Sequence, residues 1–462
     1  MSPWFLDEAR NSKRCSCRSS IAWKTFTGMK RAPNVSASRG RRTMIERVDV
    51  YYDGWGEHWL WGSLVSTTAI TGRPLIVFEY SDDARKRGLE LSSYALPVHG
   101  SRLRKDFPAH QLGLPGPVYD ALPDGWGMLL MDRLFKRRGL NAARIGPLER
   151  LAYIGSHAMG AMSFEPVAPE IQEPQPNIPL DRLAAEVQEV LDGEGGAFLH
   201  QLLQVGGSPQ GARPKALVYR DPRSGVFTTA PAADFDAWLV KFPARQEHPE
   251  VCAIEMVYAE CLRMCGIETP DTLHFDLPGG MAAFASRRFD RRDGLRVPMQ
   301  SVAAFTGADY KTPGALDYVN FLRATHMCTN DVREKARAFE RAVFNVAFNN
   351  RDDHPKNFAY IMARSGEWKL APAYDVTFCE GPGGYHQMDV MGEALQIDRA
   401  ALLGLAKEAE ISAAAAGDMI DRMCSVASRW SAIATRDYQG GITDDTLMHI
   451  QHRIDENVAL LS

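Results

Sequence analysis

Asn350-Arg351-Asp352-Asp353-His354-Pro355-Lys356-Asn357 is followed, eighteen residues after Asn357, by Asp375 within Ala373-Tyr374-Asp375-Val376-Thr377. The preceding run Ala342-Val343-Phe344-Asn345-Val346-Ala347-Phe348 reads as a buried element that would project Asp352 into a site. Four residues separate Asp352 from Asn357, and Asp375 comes after the strand-like Trp368-Lys369-Leu370-Ala371-Pro372. Carboxylate and amide oxygens are the hard ligands that Mg²⁺ prefers. Taken singly, each residue has a bland reading: the aspartates cap turns, His354 is a satisfied structural histidine, Asn357 ends a loop. Features elsewhere in the chain shift the balance.

An Asp, four residues and an Asn is the spacing of a kinase catalytic loop, in which the Asp accepts the substrate hydroxyl's proton and the Asn holds Mg²⁺. Upstream lies Gly206-Gly207-Ser208-Pro209-Gln210-Gly211-Ala212-Arg213-Pro214-Lys215, a glycine-rich loop leading into Ala216-Leu217-Val218-Tyr219, which reads as a strand. Ala212-Arg213 stands where a Walker A loop needs Lys and Ser or Thr, so this is not that motif. Its backbone N–H groups suit phosphate oxygens, and a plain hairpin is the competing reading. Gly207, Ser208, Gly211 and Lys215 are therefore candidate phosphate contacts. Ala237-Trp238-Leu239-Val240-Lys241-Phe242-Pro243 resembles a buried strand carrying one charge. In the next helix apolar residues recur at Ile254, Val257, Tyr258, Cys261, Leu262 and Cys265, which places Glu255 near the inward face. A buried carboxylate needs a partner, and Lys241 is the natural one. The result is the lysine–glutamate pair that positions ATP. A metal hydrolase could use Asp352, His354 and Asp375, but it calls for neither the loop nor that pair.

The chain has 462 residues, 45% of them apolar, enough for two or three domains with real cores. A formal charge of −4 gives no global attraction to nucleic acid, so DNA contact by this chain alone is not expected. Eight cysteines show neither paired zinc spacing nor disulfide density, which fits a reducing cytoplasm. No apolar run is long enough to span a membrane. Residues 1–43 are basic, Ser-rich and nearly free of acid, the mark of a disordered arm or of an over-extended start with translation from Met44.

Short β-branched and aromatic runs from Val48 to Tyr80, then a helical period from Met128 to Phe135 ended by Gly139, predict an α+β domain over 44–166. A Pro-rich linker follows from Pro166 to Pro176. Residues 177–277 form a mixed region with the glycine-rich loop and Lys241, and 278–462 a mainly helical one with the acidic loops. Ala400 to Ala415 and Asp444 to Leu461 have helical composition. The expected class is α+β, a two-lobed protein-kinase-like fold behind a small β-rich N-terminal domain.

From about Met44 onward these residues resemble the HipA family of bacterial serine/threonine kinases, toxins of type II toxin–antitoxin systems. Leu122-Pro123-Asp124-Gly125-Trp126 and Gly160-Ala161-Met162-Ser163-Phe164-Glu165-Pro166 look like its N-terminal domain. Arg288-Phe289-Asp290-Arg291, the 352–357 loop and Tyr374-Asp375-Val376 look like its kinase core. The resemblance implies Asp352 as general base, Asn357 and Asp375 as Mg²⁺ ligands, Lys241 on the ATP phosphates, and His354 and Lys356 shaping the site or touching phosphate. It also implies that Ser208 is autophosphorylated, which draws the loop out of the ATP site and silences the enzyme; here Pro209 and Pro214 stiffen that loop. A cytoplasmic protein target connected with translation, and a small helix-turn-helix antitoxin of HipB type, through which any DNA would be bound, are what the same likeness implies. The residues leave two alternatives open: a kinase for a small molecule or lipid head group, and a catalytically silent scaffold in a repressor complex.

Overall fold

The computed structural model describes residues 45–68, 74–169, 177–193, 199–206, 211–244, 247–248, 250–437 and 441–462. The basic arm 1–43, most of the Pro-rich linker, and Gly207 and Ser208 lie outside the described residues.

Alternation builds the first sheet. In β1 (Arg47–Tyr52), Val48, Val50 and Tyr52 are buried while Asp49 and Tyr51 face outward, the two-residue period of a half-buried strand. With β2 (Trp59–Thr68), β3 (Pro74–Tyr80), β4 (Leu103–Arg104) and β5 (Met162–Glu165) it forms a sheet of order β4-β3-β2-β1-β5, each pairing antiparallel. The helix Gly125–Arg137 buries Trp126, Leu130, Met131, Leu134 and Phe135 on one side. Gly139, at φ +69°, follows its end.

A second sheet of order β7-β6-β8-β10-β9 comes from β6 (Lys215–Arg220), β7 (Phe227–Thr228), β8 (Asp236–Lys241), β9 (Thr272–Leu277) and β10 (Met281–Arg287). The boundary expected at residue 277 therefore falls inside a hairpin. β9 and β10 are antiparallel partners joined through Gly279 and Gly280, both at positive φ. Such a turn favours hairpin closure, and the small residues Ala282, Ala283 and Ala285 gave the returning strand a weak β signature. The helix Val251–Met264 sits between β8 and β9 in sequence and buries Cys252, Ile254, Glu255, Val257, Tyr258, Cys261 and Leu262.

Beyond Arg287 come the pair β11 (Arg291–Arg292) and β12 (Leu295–Arg296), and a sheet of β13 (Met299–Ser301), β14 (Ala359–Met362) and β15 (Trp368–Leu370). Helices dominate the rest. The stretch expected as helix over 400–415 is two helices, Arg399–Glu408 and Ala413–Ala427, because Ser412 caps the second by accepting from the Ala415 N–H. Asp444–Leu461 is a single helix.

Two cores result. One runs from Val48 through Val240 to Ala285, so the first sheet, its helices and the second sheet share it. The other extends from Ala253 to Leu461 through the helical part. Asp290 ties the N-terminal segment to the remainder: it takes Arg288 Nε at 2.9 Å and Nη2 at 2.8 Å, Arg291 Nη1 at 2.8 Å and the Gly160 N–H at 2.8 Å. Arg291 and Arg296 also donate to the carbonyls of Ala158 and Gly160. Among the described residues no helix is long and apolar enough to cross a membrane, and the six cysteines are unpaired.

Candidate functional site

The helix Val332–Ala347, almost wholly buried along one side, delivers the chain to Asn350. Side-chain bonds then fix the loop. Asp353, fully buried, accepts from the Tyr318 hydroxyl at 2.7 Å and the Gln387 N–H at 2.7 Å, and pairs with His386 Nδ1 at 2.8 Å. Asn345 donates to the Tyr318 oxygen at 3.0 Å, and Asn350 donates to Asn345 Oδ1 at 2.9 Å. The adjacent aspartates thus separate: Asp353 faces inward as an anchor, whereas the Asp352 side chain is 51% exposed in a cleft. Burial in that cleft pushes the Asp352 carboxyl up to about 6, Asp375 and Asp353 adding to the rise and His354 opposing it. That is the range in which a carboxylate serves as a base near neutrality.

Asn357 donates Nδ2 to the Asp352 carbonyl at 2.7 Å, which leaves its own amide oxygen as an acceptor. Asp375 holds φ +57°, a left-handed conformation that a non-glycine residue adopts at a cost of about 1 kcal/mol. Its carboxylate receives Lys241 Nζ at 2.5 Å. Burial alone would raise the Asp375 carboxyl, but Lys241 and Lys215 hold it well below the usual range. Lys241 Nζ also donates to Glu255 Oε1, and the second Glu255 oxygen takes Arg213 Nη1 at 2.6 Å.

Lys215 on β6 lies directly across from Lys241 on β8, so both side chains share one face of the sheet, each nearly buried. Burial, and the Lys241 charge beside it, push the Lys215 ammonium down. Like charges opposed across strands are unfavourable unless anions join them. Glu255 and Asp375 supply part of that charge, and the arrangement suits a polyanion. Gly211, Lys215, Lys241, Glu255, Asp352, His354, Lys356, Asn357 and Asp375 all line one cleft of about 680 Å³, together with Leu239, Val251, Leu262 and Phe284. That volume suits a ligand of nucleotide size.

Among the described residues no three His, Cys, Asp or Glu side chains cluster as a metal cage. A Mg²⁺ ion held with phosphates is bound through one or two carboxylates, and Asp375, with Asn357 Oδ1, is the group that could hold one. His354 Nε2 stands 3.7 Å from Asp352, and its ring is 5.4 Å from that of Tyr310. Lys356 is buried against Tyr310 and Tyr119, its Nζ 4.3 Å and 5.0 Å from the ring centres, and donates to Asp124 at 3.0 Å.

Two residues at the site were not singled out as site residues in the sequence. Arg213 entered only as a departure from Walker A, yet it reaches Glu255, Glu247 and the Phe242 carbonyl. Asp124, noted only within Leu122–Trp126, projects into the cleft from the N-terminal part. Gly125 beside it has φ +30°, and an added Cβ would stand 2.4 Å from Ala212 Cα. Gly125→Ala is therefore expected to destabilise the protein by more than about 1 kcal/mol, read as a lowered denaturation midpoint. A midpoint equal to the wild type's would show that the contact can relax freely.

Residues 57–165 match the sequence profile of the HipA N-terminal domain, and residues 207–430 match that of the HipA-like C-terminal domain. The chain belongs to the HipA family. Among solved structures it is similar to HipA in the Shewanella oneidensis MR-1 toxin–antitoxin complex of HipA, HipB and operator DNA, at 18% identity and a TM-score of 0.65, over 89% of this chain and 96% of that one. A weaker likeness, to the Helicobacter pylori proinflammatory kinase CtkA, has 14% identity and a TM-score of 0.35 over 49% of this chain and 88% of that one. The two HipA domains divide the cleft: the C-terminal one supplies the lysines and acidic loops, the N-terminal one Asp124.

Proposed function

We propose that this HipA-family chain is an ATP- and Mg²⁺-dependent kinase that transfers the γ-phosphoryl group to a serine or threonine hydroxyl on a protein. The observation that carries the proposal is the chain of contacts Glu255–Lys241–Asp375 in the same cleft as Asp352 and Asn357. In this reading the second sheet and the helix Val251–Met264 form a nucleotide-binding lobe, and the helical part forms a catalytic lobe. Lys241, oriented by Glu255, and Lys215 bind phosphate oxygens; Gly211 lines the same cleft, and Gly207 and Ser208 are proposed as further phosphate contacts. Asp352 orients the acceptor hydroxyl and takes its proton, with Lys356 and His354 beside the transferred group. Mg²⁺ held by Asn357 and Asp375 would neutralise charge on the phosphates. Phosphoryl transfer asks the protein mainly for positioning and electrostatics, which buried lysines on a rigid sheet supply.

Ser208 is the proposed autophosphorylation site, a dianion there repelling ATP and drawing the loop away. Family membership, and the HipB–DNA complex of the similar Shewanella oneidensis protein, support a small helix-turn-helix antitoxin as partner, DNA contact through that partner, a toxin role and a cytoplasmic setting. A protein substrate connected with translation is part of the same proposal.

Intact mass after incubation with ATP and Mg²⁺ tests the chemistry. The wild type is expected to gain one phosphoryl group, mapped to Ser208, and to gain none with EDTA or as Asp375→Asn. If a wild type shown beforehand to be unmodified and to bind ATP modified neither itself nor an added protein, the protein-kinase reading would fall. The silent scaffold or the small-molecule kinase would then take its place.

A further inference from the structure

Asp124 has no part in the chemistry proposed above, yet its placement is costly. It precedes the helix Gly125–Arg137 at the position where an aspartate usually accepts from the first free N–H groups, and its side chain makes no such bond. A stabilising N-terminal cap is thereby forgone. Asp124 is instead turned away from its own helix. Oδ1 accepts from the backbone N–H of Gly211, where the glycine-rich loop enters β6. Oδ2 accepts from Lys356 Nζ at 3.0 Å and from the Tyr310 hydroxyl at 3.0 Å. Trp126, two residues on, reinforces the first contact: it donates its N–H to the Gly211 carbonyl at 3.1 Å and its indole Nε1 to the Lys215 carbonyl at 3.1 Å.

We infer that Asp124 is a positioning residue that fixes the spacing between the glycine-rich loop and the 352–357 loop, so that phosphates held by one meet Lys356 and Asp352 of the other. The inference rests on the kinase reading. A single carboxylate bonded at once to a loop amide and to a buried ammonium couples them, since neither can shift without weakening the other's bond. Lys356, enclosed by two tyrosine rings, has Asp124 as its carboxylate partner among the described residues. The N-terminal domain is in this view a working part of the catalytic cleft.

Three variants separate the two bonds. Asp124→Asn keeps an acceptor for the Gly211 N–H and removes the charge facing Lys356; Asp124→Ala removes both; Asp124→Glu restores charge at greater reach. Hydrogen exchange across 211–215 without nucleotide is expected to quicken in Asp124→Ala and stay near wild type in Asp124→Asn. Both should lose kcat, by about 10²-fold for a misplaced group, with less change in the KM for ATP in Asp124→Asn. Asp124→Glu should recover part of the loss. Combining Asp124→Asn with Lys356→Met should cost no more than the worse single change, the sign of a shared interaction. Unchanged exchange in Asp124→Ala, or additive losses in the double variant, would overturn the assignment. Absence of phosphoryl transfer in the wild type would instead count against the kinase reading, and the exchange measurement would still decide whether Asp124 holds the loop.

Discussion

Asp352→Ala is expected to lower phosphoryl transfer by about 10²–10⁴-fold, the usual worth of a positioned general base, with nucleotide affinity unchanged. The two effects separate because of how the loop is held. Asn357 bonds the backbone carbonyl of Asp352, not its side chain, so the substitution leaves the Asn357 amide where it is. The loop's anchor is Asp353, whose bonds to Tyr318, His386 and Gln387 are untouched. Lys241, Glu255 and Asp375 are hydrogen-bonded to one another and not to Asp352. Single-turnover transfer with purified protein, beside binding of a fluorescent ATP analogue, gives both quantities. A variant that keeps more than a tenth of wild-type transfer would remove Asp352 from the chemistry. One that loses ATP binding in parallel would make its role structural.

Asp290→Ala should be the most destabilising single change at the junction of the two HipA domains, with a loss of about 3–5 kcal/mol. Asp290 is 1% exposed and accepts from Arg288, Arg291 and Gly160. Removing it leaves the buried guanidinium of Arg288 without this partner. The contact has a pH signature. Burial alone would raise the Asp290 carboxyl, but Arg288 and Arg291 hold it well below the ordinary carboxylate range. A depressed native pKa means that the stabilisation is complete above the unfolded value, about 3.9, and fades as pH falls through the native one. The wild type's stability against urea should therefore fall below about pH 4, and the part of that slope due to Asp290 should be absent from Asp290→Asn. Equal stability of Asp290→Ala and wild type at pH 7 would sink the idea that this cluster fastens the domains.

The chain alone was informative about chemistry wherever spacing along it equals proximity in space. Asp352 and Asn357 lie on one short loop, and Glu255 was placed inward by the period of its own helix, so a local pattern sufficed to set them in the cleft. The α+β class was legible for the same reason, since alternation in Val48 to Tyr52 and the helical period after Gly125 are local properties. What crosses between segments was not. Nothing in Pro123-Asp124-Gly125 says that the carboxylate abandons its own helix for Gly211 and Lys356, because both partners are set by how sheets and helices pack. Arg288-Phe289-Asp290-Arg291 was legible only as a family motif, and the fold makes it the clasp on residues 158–160. The pair Asp352-Asp353 shows the division most plainly. Sequence offered two adjacent carboxylates, and only the tertiary structure decided which one is buried under three partners and which one faces the cleft, because desolvation and available donors are properties of the folded surroundings.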